Sequence, residues 1–411
     1  MKNIRNILVI LLSSTALNTW AQSLDSLFHL AVENNLELKT LTLEYEAILS
    51  REDQVTQLPN TQVGVGVPVL RPETRLGAQM VMVSAAQMFP WFGSFEAKKD
   101  VVIEMSKAKY EALNALKLDL QFELKSTYYQ LLFLEKRKNL FTETLQNYQR
   151  IEKVVLAKVE ANQASLAYAL RVQAKTDEYN ALLAQIEIQK HHLHAQINKI
   201  THQDLSGKIL LVDSMDYSFM NYDFEAYRSK IALYHPAIQQ ISHQISVSES
   251  VIAVQEKAKK PSLGIGVDYS IVQARTDANP MYNGRDIFVP KVSLNIPISQ
   301  KVYNSKIKEE RLNQEALGTQ KESIIENILT QIITYKTEYD KARIDFNLSL
   351  NQSKKIESAY QILLAKYSAD GNNFEELLST QNELLQLQLK RDLSELTMAL
   401  AKAKIERLTN Y

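Results

Sequence analysis

The chain reads as one unit written twice. His235-Pro236-Ala237-Ile238, followed by Pro261-Ser262-Leu263-Gly264-Ile265-Gly266-Val267, echoes Asn35-Leu36-Glu37-Leu38 followed by Val63-Gly64-Val65-Gly66-Val67, about 200 residues earlier. Pro90 recurs as Pro297, and Ala157-Lys158 with Ala161-Asn162 recurs as Ala365-Lys366 with Ala369-Asp370. Each half is expected to run helix, strand pair, very long helix, tight turn, helix. Self-similarity on this scale means that neither strand pair is built to form a sheet alone. The halves are assigned to 22–215 and 216–411, with a leader over 1–21.

The leader is read from Lys2 and Arg5 ahead of the apolar run Ile7 to Leu12, with Thr19-Trp20-Ala21 placing small residues at −3 and −1. This is the pattern of a secretory signal peptide cleaved after Ala21. The apolar run is too short to cross ~30 Å of hydrocarbon as a helix. Without residues 1–21 the chain keeps 45 basic against 47 acidic residues. That balance gives no electrostatic footprint for nucleic acid. Cysteine is absent, which excludes a disulfide framework, a thiol nucleophile, a thiolate metal site and a lipidated N-terminal cysteine. No stretch after the leader has 18 consecutive apolar residues, so no transmembrane helix is expected.

Helix breakers are confined to a few zones. From Ser94 to Ser206 there is neither proline nor glycine, and from Ile298 to Tyr411 only Gly318 and Gly371. Helices are predicted over 23–57, 94–160, 164–200, 224–258, 303–368 and 373–409. The second of these would be ~100 Å long at ~1.5 Å per residue. Heptad-like spacing of Leu116, Leu120, Leu124, Tyr128, Leu131, Leu134 and Phe141 argues for lateral helix packing.

Strands are predicted at 61–70 and 78–89, and again at 262–272 and 286–297. Val63, Val65, Val67 and Val69 alternate with Gln62, Gly64, Gly66 and Pro68; Leu263, Ile265, Val267, Tyr269 and Ile271 alternate with small or polar residues. Such segments fit outer-membrane barrel strands, and equally a soluble sheet packed on a helix. Four strands cannot close a barrel, for which ~8 is the lower limit, and an open edge in lipid is forbidden. Membrane-spanning strands therefore require several chains to share one barrel.

In this order, the pattern resembles the TolC family of outer-membrane efflux proteins. The matching features are the Ser26-Leu27 to Asn34-Asn35 opening, the junction Phe89-Pro90-Trp91-Phe92-Gly93, and the turn Tyr367-Ser368-Ala369-Asp370-Gly371 followed by Leu377-Leu378 and Gln381. The resemblance implies a mainly α fold with membrane β: a homotrimer whose four strands per chain build a twelve-stranded outer-membrane barrel above a periplasmic α-helical barrel. It implies an exit duct of a tripartite efflux system, docking with a periplasmic adaptor (membrane fusion protein) and an inner-membrane pump, the RND type being one candidate. One-step protein secretion through the same architecture is the nearest alternative. A periplasmic coiled-coil scaffold or lipid-binding protein is the alternative of another class. Three features depart from the pattern: Pro297 is followed by Ile298-Ser299-Gln300 without a glycine, Gln163 stands where the second turn has Gly371, and the segment after Gly371 is one residue short.

A duct does no bond chemistry, so no catalytic residue and no cofactor is assigned. Asp370, Glu375 and Glu376 are expected at the periplasmic aperture, with Glu376 the best match to the acids that the family places there. Three-fold repetition would concentrate their charge; acids opening a helix equally favour its macrodipole. Asn162, Gln163, Gly371 and Asn372 are expected in the adaptor-docking turns. Phe89, Trp91 and Phe92 fit an interfacial aromatic belt against outer-membrane lipid. His191-His192-Leu193-His194 is read as a polar surface patch rather than a metal site, and Met80, Met82 and Met88 as lipid-facing or core packing. Asp277 to Pro280 with Asn283-Gly284, and Arg71 to Arg75, read as polar loops at the far end of the strand pairs.

Overall fold

A computed structural model describes residues 23–218 and 222–409. The expected signal peptide lies outside the described residues. In chain order the elements are α1 (Leu24–Asn34), α2 (Leu36–Leu49), α3 (Arg51–Val55), β1 (Gln62–Gly66), β2 (Glu73–Thr74), β3 (Gly77–Phe89), α4 (Ser94–Glu160), α5 (Leu166–Ile200), α6 (Phe224–Tyr234), α7 (Pro236–Ala258), β4 (Ser262–Ala274), β5 (Ile287–Asn295), α8 (Lys301–Asp370) and α9 (Phe374–Thr409). The chain divides into two compact units.

Of the described residues, the first unit comprises 23–39, 115–218, 222–235 and 326–409. It is helical, and its core is a seam of Leu124, Tyr128, Leu131, Tyr148, Ile151, Val172, Tyr179, Ile197 and Leu377, all buried. Burying each such side chain contributes about 1.5–3 kcal/mol, which offsets the weak helix propensity of the tyrosines and β-branched residues. The segment 201–218 is stitched to this core through phenol groups. The Tyr128 hydroxyl accepts from the amides of Val212 (2.8 Å) and Asp213 (3.0 Å), and that of Tyr129 from Asp216 (3.2 Å). The Tyr339 hydroxyl donates to the Tyr217 carbonyl at 2.9 Å.

The helices expected over 23–57 and 224–258 are each interrupted at the matching position. Asn35 adopts an extended conformation, its Oδ1 accepts from the amides of Glu37 (2.9 Å) and Leu38 (3.1 Å), and its Nδ2 donates to the Ile200 carbonyl at 3.0 Å. One side chain thus caps the start of α2 and the end of α5, satisfying orphan groups at both. His235 is extended for another reason: Pro236 follows it, and the residue before proline is driven out of the α region. A milder break at Ser50 separates α2 from α3, with Ser50 Oγ donating to the Ala47 carbonyl at 2.8 Å.

The second unit comprises 40–114 and 236–325. It contains an antiparallel sheet of order β1-β3-β4-β5, with the two-residue β2 pairing on β3. The strand expected over 61–70 is shorter: pairing stops at Gly66 opposite Met82, because Pro68 has no N–H to give the ladder. Beyond that point the Gln79 amide donates instead to the Pro72 carbonyl at 3.1 Å. All four long strands meet their helices at one end of the sheet, where Phe89 pairs Leu263 and Ser262 pairs Asn295. The polar loops expected at Arg71 to Arg75 and Asp277 to Gly284 lie at the other end; the first contains β2, and in the second Asn283 Oδ1 accepts from the Arg275 amide at 2.8 Å.

Candidate functional site

Register assigns each paired strand residue to a face of the sheet. One face carries Val63 and Val65 on β1, Val83, Ala85, Gln87 and Phe89 on β3, Leu263, Ile265, Val267, Tyr269 and Ile271 on β4, and Phe288, Pro290, Val292 and Leu294 on β5. It is apolar apart from Gln87 and the Tyr269 hydroxyl, and it is exposed, Val65 to 71% and Val292 to 75%. Stable water-facing surfaces rarely leave so continuous an apolar patch. The opposite face carries Gly64, Ser84, Gly264, Asp268, Ser270, Lys291 and Ser293, with an ion pair between Lys291 and Asp268. Met82 and Met88 pair with Ser270 and Gly264 and therefore share this polar face, while Met80 sits in the irregularity between Gln79 and Val81. The register therefore sets Met82 and Met88 apart from the exposed apolar face and leaves Met80 assigned to neither. Among the described residues β1 and β5 each have a strand partner on one side only.

Where β3 gives way to α4, Trp91 and Phe92 pack edge to face with ring centres 6.0 Å apart. Phe92 is 84% exposed and Phe89 ends the apolar face. Gly93 turns the chain with φ +75°, a conformation open to glycine at little cost.

In the helical unit, α4 and α5 are joined by one tight turn and α8 and α9 by another. The first is a Schellman ending: Asn162 takes φ +55°, its amide donates to the Val159 carbonyl at 3.0 Å, and the Gln163 amide donates to the Lys158 carbonyl at 2.7 Å. The Ser165 Oγ then accepts from the Ala167 amide at 3.2 Å and opens α5. In the second, Gly371 takes φ +79° and its amide donates to the Tyr367 carbonyl at 2.9 Å. Asp370 Oδ1 accepts from the Asn372 amide at 2.9 Å, and that backbone hydrogen bond holds its carboxyl below the usual range. Asn373 Nδ2 donates to Glu376 Oε2 at 2.6 Å, and Glu375 is ion-paired with Arg171. Phe374 stacks on Tyr168 with centroids 4.2 Å apart and lies 5.5 Å from Tyr367, over which the Lys158 ammonium sits at 5.9 Å.

No protein-family model and no curated protein matches the sequence. Solved structures do. CusC, described for conformational changes accompanying folding and transmembrane channel formation, superposes with a TM-score of 0.76 at 14% identity, covering 94% of this chain and 91% of its own. The open-state MtrE outer membrane channel of Neisseria gonorrhoeae gives 0.73 at 14% identity, covering 94% and 88%. The CmeC outer membrane channel of Campylobacter jejuni gives 0.70 at 13% identity, covering 94% and 85%. This chain has the TolC-type outer-membrane channel fold.

Within that TolC-type fold, the structure brings the expected tip residues together: Asp370, Gly371 and Asn372 form one turn, Glu375 and Glu376 open α9, and Asn162 and Gln163 form the other turn. Each acid already has a neighbour, which the sequence did not reveal for Glu375, since Arg171 lies 204 residues away. The Tyr168–Phe374–Tyr367 cluster was also missed; aromatics flanking both turns were its only signal. Of the histidine run, His191 and His192 are exposed, whereas His194 Nδ1 accepts from the Ile209 amide at 3.1 Å. Among the described residues no three His, Cys, Asp or Glu side chains are grouped to hold a metal ion.

Proposed function

We propose that this protein is an outer-membrane exit duct, a passive channel that three copies build by pooling their strands into a twelve-stranded barrel. The carrying observation is the sheet itself: a continuous, exposed apolar face on strands whose two outer edges lack partners among the described residues. In hydrocarbon each unpaired backbone group costs several kcal/mol, so such a sheet becomes tenable in lipid only when neighbouring copies complete the ladder. The element order, which passes twice through helix, strands, long helix, turn and helix, supports duplication of an ancestral half. The coiled-coil scaffold reading leaves the apolar face without a purpose.

The helical turns at Asn162-Gln163 and Gly371-Asn372 are proposed to form the periplasmic tip, docking onto an adaptor and an inner-membrane pump in efflux. The acids Asp370, Glu375 and Glu376 would be repeated three times around the aperture, favouring cations. Phe89, Trp91 and Phe92 would lie at headgroup level, where amphipathic rings are favoured. Electron microscopy of detergent-extracted protein tests the core of this reading. A three-fold ring with a central pore is expected; a buffer-soluble monomer with the same secondary structure would overturn it.

A further inference from the structure

At the helix-joined end of the sheet lies a cavity of about 340 Å³, bounded by the starts of α4 and β4 and the ends of α7 and β5. Three lysines line it, the exposed Lys98 from α4, the half-buried Lys257 from α7 and the exposed Lys260 from the turn into β4, and no acidic residue does. None of the three has a hydrogen bond or ion pair from its side chain among the described residues. This contrasts with their neighbours, since Lys99 is paired with Glu52 at 2.6 Å and Lys259 with Glu256 at 2.8 Å. The Lys257 ammonium is held against the junction backbone: a Cβ added to Gly93 would come within 3.1 Å of it. Asn295 and Tyr303 add polar groups to the lining, and Trp91 forms one wall.

Three like charges gathered in one concavity repel one another and focus a positive potential. An uncompensated cluster of this kind is stabilised by an anion able to accept several charge-assisted hydrogen bonds at once. Ser262 and Asn295, which line the cavity, are the pair that follows Leu263 with Leu294, so the cavity lies at the end of the sheet where the apolar face finishes, on the side of the polar face. We propose that the cavity is a phosphate-binding site, taking the phosphodiester of an anionic lipid headgroup or a free phosphate. Basic pockets at a membrane boundary hold lipid headgroups by this chemistry. The site stands on the cavity and its lysines; only its lipid source rests on the membrane reading above.

The chain contains a built-in reporter. Its two tryptophans are Trp20 and Trp91, so the Trp20→Phe variant leaves the cavity wall as the sole indole. The full-length variant in uncharged detergent is titrated with dihexanoyl phosphatidylglycerol and, separately, with inorganic phosphate, reading Trp91 fluorescence. A saturable change is expected that weakens at least about ten-fold when Lys98, Lys257 and Lys260 are all changed to Gln, and is retained when all three are changed to Arg. Saturation by the lipid at a concentration about ten-fold or more below that of phosphate assigns the lipid source, and similar concentrations assign free phosphate. Silence toward both probes, or titrations unaltered in the Gln variant while its circular dichroism matches the parent, overturns the site. If the protein proves soluble without detergent, the duct reading fails, and the phosphate titration still decides the site.

Discussion

Lys402 on α9 donates from its Nζ to Oδ2 of Asp216 at 2.6 Å, with a second donation to the Ser218 hydroxyl at 2.6 Å. The ammonium is nearly buried, at 7% exposure for the residue, whereas half of the carboxylate side chain is in solvent. This pair pins the connection between the two passes of the chain onto the helix that ends the second. Burial alone would raise the Asp216 carboxyl, but hydrogen bonds from Lys402 and Ser218 and the Lys402 charge outweigh it and hold the group at about 2.

Because the folded value lies below the unfolded value of 3.8, the unfolded chain binds more protons between the two. The pair's contribution is therefore complete above about pH 4 and is lost as pH falls toward 2. Screening of the half-exposed carboxylate limits that contribution to about 1 kcal/mol. Asp216→Asn, which leaves the buried ammonium with only Ser218, is expected to lower unfolding free energy at pH 7 by about 1–2 kcal/mol in denaturant titrations.

His235 governs a different pH window. Burial, aided by the Arg407 charge, pushes its imidazole down from 6.5 to about 4. The folded protein then resists a proton that the unfolded chain accepts, so stability is full above pH 6.5 and declines as pH falls toward 4. The loss is expected to approach about 3 kcal/mol at most. His235→Gln should flatten stability between pH 7 and 4, measured as the denaturant midpoint at each pH.

Face assignment in the sheet can be tested by paired substitutions. Val65→Arg places a charge on the apolar face at a predicted cost of about 2–4 kcal/mol near mid-membrane, and should abolish recovery in outer-membrane fractions. Ser84→Lys, on the polar face opposite Asp268, should leave recovery unchanged.

At the hairpin tip, Glu376→Gln should reduce cation preference in single-channel recordings. Arg171→Ala frees Glu375 and should increase it. Unaltered selectivity in both variants would remove these acids from the aperture.

Gly371→Ala probes the turn without touching charge. Holding alanine at φ +79° costs about 1–2 kcal/mol, although its Cβ would meet Lys158 only at ordinary contact distance, 3.4 Å. Hydrogen exchange at the end of α8 should accelerate about five-fold or more, with the core of the helical unit unchanged.

The long helices, the two turns and the strand zones were legible because their causes are local. Glycine and proline punctuate 94–160 and 301–370 only at their ends or at Gly318 and Gly371, and a period of two marks Val63 to Val67 and Leu263 to Ile271. The breaks at Asn35 and His235 were not read. Pro236 was a visible signal for the second, but the first depends on Ile200, 165 residues away, whose carbonyl the Asn35 amide reaches. The shortening of β1 also had a visible cause in Pro68.

By itself, the sequence determined which segments become helix or strand, since backbone propensity and hydrophobic period act over a few residues at a time. Tertiary structure alone decided which side chains meet: Lys402 with Asp216, Arg171 with Glu375, and Lys98, Lys257 and Lys260 around one cavity. Those meetings depend on packing and strand register between distant segments, where burial and desolvation, summed over the whole fold, select one arrangement among many that the local pattern permits.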